Sequence, residues 1–185
     1  MASKFGMLAK PQLTGEIVGV DAEGGNGEML VGQRVQSDGG SSRIQQKRAE
    51  NVWAQLVDTL PRDERNVVLT VAGFGEDAYT RAERMDVRSG RRLQVASVPV
   101  RRADFATDHA GVVRFAVGAG SDNVSKLYYR TGEDAEWRLV NDEAKSGVVE
   151  VPIGFSADGA TAYVLAERAQ GPNAIVALGC GHRAA

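Results

Sequence analysis

Three aspartates stand fifty residues apart, Asp58, Asp108 and Asp158, and each follows a short run rich in apolar residues. After the last two comes a glycine and then an alternating segment. Asp108-His109-Ala110-Gly111 leads into 112–117, and Asp158-Gly159 into 161–166. Recurrence at a fixed period is the mark of a repeat architecture, in which each unit buries its faces only against its neighbours. A unit near fifty residues with about four strands has the size of a β-propeller blade. The expected fold is therefore all-β, a partial β-propeller of stacked four-stranded antiparallel blades.

Glycine-broken hairpins fill in the rest. Segment 16–21 alternates, breaks at Ala22-Glu23-Gly24-Gly25-Asn26-Gly27 and resumes at 28–32. The same construction recurs at 79–87 with 91–98, and at 124–130 with 135–140. These read as the outer strands of blades. The inner pairs are expected at 52–59 with 66–73, 103–107 with 112–117, and 149–156 with 161–167, and a further strand at 174–178. The chain then divides into an outer hairpin of an incomplete blade (1–36) and a loop or insertion (37–51). Two blades follow (52–100 and 101–147), then an incomplete blade (148–178) and a disordered tail (179–185). The 185 residues and 43% apolar content suit such an array, and 22 glycines suit a chain that turns often.

Charge and cysteine narrow the function classes. With 22 basic against 24 acidic residues, no global field recruits nucleic acid or an anionic membrane. A single cysteine, Cys180, excludes an internal disulfide framework. The first ten residues hold no signal-type apolar stretch, and no run approaches a membrane span, so a cytoplasmic chain is expected as written. A parent-type protein could still be exported.

Catalytic patterns are incomplete. A nucleophile elbow needs glycines on both sides of its serine, and Gly154-Phe155-Ser156-Ala157-Asp158 puts aspartate at the second. The two histidines, His109 in a turn and His182 in the tail, have no evident nucleophile in reach. Cys180-Gly181-His182 lacks the second ligand pair of a structural zinc site. Gly24-Gly25-Asn26-Gly27 lacks the lysine and the helix of a phosphate loop. Neither a metal nor a cofactor is called for. Among the arginines, Arg88, Arg91 and Arg92 flank a turn and read as a solvated edge, whereas Arg101 and Arg102 enter an inner strand. These two are the candidate substrate-binding residues, placed to meet peptide carboxylates near a central channel. Trp53, Trp137, Tyr128, Tyr129 and Tyr163 lie on strands and are expected to pack between blades.

Phe155-Ser156-Ala157-Asp158-Gly159 followed by Tyr163 resembles the F-S-x-D-G turn of many propeller repeats, and Phe105-Ala106-Thr107-Asp108 with Gly111 is a looser copy. A wider set of segments carries a second resemblance. It comprises Arg48-Ala49-Glu50-Asn51-Val52, Asp63-Glu64-Arg65-Asn66-Val67-Val68, Met85-Asp86-Val87-Arg88-Ser89-Gly90, Gly111-Val112-Val113-Arg114-Phe115 and Lys126-Leu127-Tyr128-Tyr129-Arg130, with Trp137. Together they resemble the N-terminal propeller of bacterial prolyl oligopeptidase-family serine peptidases. That resemblance implies a domain gating access to a Ser-Asp-His hydrolase domain, whose residues are absent from this sequence. No catalytic residue is carried over, and the segment by itself is expected to be inactive. The implied partners are a peptide substrate or a hydrolase domain, with self-association through exposed blade edges. The alternatives are a free-standing propeller-like interaction module and a non-functional gene fragment.

Overall fold

A computed structural model describes residues 15–25, 27–32 and 50–180. Strands β1 (Ile17–Gly19) and β2 (Glu28–Val31) form a two-stranded sheet. β3 (Val52–Asp58), β4 (Asn66–Gly73), β5 (Thr80–Asp86) and β6 (Arg92–Ser97) form a four-stranded meander. A second meander contains β7 (Asp104–Thr107), β8 (Val113–Ala119), β9 (Ser125–Tyr129) and β10 (Arg138–Asp142). One helical turn, α1 (Glu143–Ser146), leads to a three-stranded sheet of β11 (Val148–Phe155), β12 (Thr161–Arg168) and β13 (Ala174–Gly179). Every pairing is antiparallel.

The sheets lean on one another in chain order, with one apolar core between each successive pair. Leu30 and Val31 of the first sheet meet Leu69, Val71 and Met85 of the second. Val68, Ala82 and Ala96 of the second meet Phe105, Val113 and Ala116 of the third. Phe115 and Leu127 of the third meet Ala162 and Val164 of the last. A strand covered on both faces must be apolar without alternation. β4, with the sequence NVVLTVAG, is buried at five consecutive positions and lies in a doubly covered sheet. β13 alternates half-buried with exposed, as a strand covered on one face only should.

β8 serves two cores by means of a bulge. Thr107 pairs with Val113 and Ala106 with Phe115, so Arg114 is the extra residue and the alternation resets around it. Val113 and Ala116 therefore face the second sheet, while Phe115 and Val117 face the last. Near Val117, Gly118 admits the segment that links the two four-stranded sheets. A Cβ on Gly118 would lie 2.4 Å from the Arg101 carbonyl oxygen.

Polar ties add to the second interface. Arg130, 5% exposed, donates to the carbonyls of Val113 (2.7 Å), Glu133 (2.6 Å) and Val95 (3.2 Å), and its guanidinium sits 4.9 Å from the Trp137 ring centre. The Trp137 indole N–H donates to Ser97 O at 2.6 Å, and the Thr80 hydroxyl to Ala103 O at 2.6 Å.

Several sequence expectations are revised. The helical turn at 143–146 carries no periodic signal in the sequence, because one turn is too short to show a period. Asp142 caps it by accepting the Ala144 amide at 3.1 Å, and Gly147 ends it at φ 67. Tyr163 packs against no neighbouring sheet among the described residues, since it lies on the outer face of the last sheet, 36% exposed. Arg92 is not solvated: it pairs with the buried Glu83 at 3.1 Å and with Glu50 at 2.5 Å. β13 continues through Gly179, and the Cys180 amide donates to Ala160 O at 2.8 Å. The expectations for 1–14, 33–49 and 181–185 lie outside the described residues. No helix among the described residues is long and apolar enough to cross a membrane.

Candidate functional site

The three aspartates at fifty-residue spacing fall at the ends of three hairpins, at a different position in each. Asp58 ends β3, Asp108 follows β7, and Asp158 lies in the turn after β11. Each carboxylate accepts the amide two residues on: Leu60 at 2.8 Å, Ala110 at 2.9 Å and Ala160 at 3.0 Å. A short carboxylate bonded to its own backbone in this way is a local turn former. The chain next needs a left-handed residue, which is Leu60 (φ 50) in the first turn, Gly111 (φ 76) in the second and Gly159 (φ 70) in the third.

These turns meet around a cleft of about 740 Å³. Asp58, Leu60 and Asp63 come from the first turn, and Asp108, His109 and Gly111 from the second. Gly154, Phe155 and Ala157 come from the last sheet, and Arg84 reaches in from β5. The wall is tied together across sheets. The Thr107 hydroxyl donates to Asp58 Oδ2 at 2.6 Å, and His109 Nε2 lies 3.1 Å from Ser156 O. A carbonyl only accepts, so this contact places the ring proton on Nε2. Asp108 Oδ2 takes Arg114 Nη1 at 2.8 Å. Arg114 also donates to the Tyr129 hydroxyl and lies near the Phe155 ring. Burial works against the Arg114 charge, but the bond to Asp108 and the contact with Tyr129 outweigh it, and its pKa is raised.

A second hollow of about 620 Å³ lies where β9 and β10 face the edge strand β13. Phe115, Tyr129, Leu139, Leu178 and Cys180 line it. Burial pushes the Tyr129 phenol above its ordinary pKa, and its hydroxyl donates to Cys180 O at 3.4 Å.

Arg101 and Arg102 lie in the bend before β7, away from the cleft lining. Arg101 donates to Asp77 O at 2.6 Å, with its guanidinium 4.5 Å from the Tyr79 ring centre. Arg102 donates to Ala119 O at 3.2 Å, to Gly120 O and to Asn123 Oδ1 at 2.8 Å. Both side chains thus hold neighbouring loops. His109 sits in its expected turn and contacts the carbonyl of Ser156. The Ser156 hydroxyl is instead engaged with Asp158 at 2.6 Å. His109 therefore meets the main chain of Ser156 and not its hydroxyl. No cluster of three potential metal ligands exists among the described residues. Sequence reasoning missed Arg84, whose only signal was a cation in the middle of a strand that is otherwise largely buried.

No protein-family model, curated protein or solved structure matches this chain.

Proposed function

We propose that this chain is a non-catalytic segment of a β-propeller that binds an extended peptide or protein segment at the cleft of the repeated turns. The observation that carries this reading is the convergence of equivalent hairpin ends on one cleft. The first strands β3, β7 and β11 neighbour one another in turn, and the turns that follow them supply the walls. Loops held by a rigid stack of sheets are where such scaffolds place recognition. The aspartates of the cleft engage turn amides, the Thr107 hydroxyl and Arg114, and His109 bonds a carbonyl, which leaves surface for recognition and no machinery for turnover.

Gating of a prolyl oligopeptidase-type hydrolase domain is the second role open to the same segment. What favours it is the position of two resembling motifs. Met85-Asp86-Val87-Arg88-Ser89-Gly90 leads into the β5–β6 turn, and Phe155-Ser156-Ala157-Asp158-Gly159 forms the β11–β12 turn. The two roles use the same face and differ in the neighbour.

Amide NMR of the full chain, titrated with a pool of short random peptides, tests the binding face. Shifts are expected at Leu60, His109, Gly111 and Ala157. Shifts confined to β6 or β10, or no shift with any peptide, would overturn the proposal. Chromogenic aminoacyl and prolyl substrates should remain intact, and measurable hydrolysis would remove the non-catalytic assignment.

A further inference from the structure

Hydrogen-bonding capacity in the cleft is unevenly spent. Its acceptors are occupied. Asp58 takes the Leu60 amide and the Thr107 hydroxyl. Asp63 takes the amides of Arg65 and Asn66 at 3.0 and 3.1 Å, and the Asn66 side-chain amide on both oxygens. Asp108 takes the amides of Ala110 and Val112 together with Arg114.

Arg84 is the exception among the cleft's inner groups. Its Nε is buried and has no hydrogen-bond partner, and the side chain lines the cleft with no ion pair within 4 Å among the described residues. Asp63 is near enough for the Arg84 charge to favour its ionised form, but its oxygens already serve their own loop. A buried N–H without an acceptor is costly, so a site built this way favours whatever ligand supplies one.

The chemistry of that ligand follows from the surroundings. A guanidinium offers parallel N–H donors that match the two oxygens of a carboxylate. Asp58, Asp63 and Asp108 line the same cleft, and their charge disfavours a multiply charged phosphate more than a single carboxylate. Leu60, Pro61, Ala110, Phe155 and Ala157 give the rest of the wall an apolar character suited to the body of a peptide. Resting on the binding role proposed above, we infer that Arg84 receives a carboxylate of the bound peptide. That group is either an acidic side chain or the peptide's C-terminus.

Three tetrapeptides of the same apolar frame test this on the full chain. One carries a central glutamate and an amidated end, one a glutamine and an amidated end, and one a glutamine and a free C-terminal carboxylate. Either carboxylate peptide should bind roughly tenfold more tightly than the neutral one and move the Arg84 Nε–Hε resonance. Which of the two does so identifies the source of the carboxylate. Arg84→Gln should abolish the preference, and Arg84→Lys should keep part of it. If Arg84→Gln fails to fold, the wild-type Nε–Hε resonance decides: an unmoved signal at saturation overturns the inference. Equal affinity for all three peptides, with shifts at the cleft, also overturns it while leaving the binding face standing. No shift at the cleft with any of them removes both.

Discussion

Gly111 and Leu60 set the floor of the cleft as a pair. Leu60 is buried in a left-handed conformation that a branched side chain rarely adopts. Its Cδ2 lies 2.2 Å from where a Cβ on Gly111 would stand, and Gly111 itself has φ 76. Gly111→Ala therefore meets both a clash and backbone strain. It should cost about 1–3 kcal/mol, seen as a lower calorimetric Tm. Leu60→Ala in the same chain should recover part of that loss, because it removes the clashing methyl. Strictly additive losses in the double-mutant cycle would refute the contact.

The turn acids carry a pH prediction. Asp63, Asp86 and Asp158 all titrate below the ordinary aspartate value. The leading causes are the Asn66 side-chain amide for Asp63, the Ser89 amide for Asp86 and the Ser156 hydroxyl for Asp158. The folded pKa lies below the unfolded one, so the unfolded chain takes up protons first as pH falls. Their contribution is complete above about pH 4 and declines below it. Urea midpoints should be level near pH 6 and drop toward pH 3, with a shallower drop in the triple Asp→Asn variant. A wild-type midpoint that holds steady down to pH 3 contradicts this.

At the scale of elements, the second and third sheets are joined by a charge placed among carbonyls. Arg130→Met keeps much of the apolar stem but strands the carbonyls of Val113, Glu133 and Val95. The expected loss is about 3 kcal/mol, or a Tm drop of roughly 6–12 °C for a chain of this size. A drop below about 2 °C would mean that water replaces the guanidinium there.

The strands of this chain were legible because turns and alternation are local signals. Asp108 with Gly111 and Asp158 with Gly159 announce their hairpins, and the run 66–73 announces an inner strand. The bulge at Arg114 was not legible, since its cause is the need to face two cores at once. The cleft was only partly legible. Two of the repeated aspartates, Asp58 and Asp108, lie in its lining, but Arg84 belongs to a different hairpin and reaches the cleft only once sheets are stacked. Arg101 and Arg102 looked like free cations in the sequence, yet the carbonyls that engage them lie up to 24 residues away. Spacing carries no information about such partners.

At the scale of the molecule, a stack of sheets protects its middle members and leaves its ends half covered. The outer face of the last sheet places Val151, Leu165 and Ile175 in one cross-strand row, with Ile153 and Tyr163 beside them. Ile175 is 68% exposed and Ile153 53%. The edge strand β13, with the sequence AIVALG, carries neither a charge nor a proline, the usual guards against strand addition. On the opposite end, Val18 is also exposed on β1. Apolar faces of this kind associate unless something covers them. The isolated chain should therefore show concentration-dependent self-association by sedimentation, and Ile175→Lys should weaken it by placing a charge on both the face and the edge. The cores between sheets do not include Ile175, so the variant should melt within about 0.5 kcal/mol of the wild type. A wild-type chain that sediments as a single 19.7 kDa species at every concentration would show that the end sheet is guarded by a feature other than its sequence.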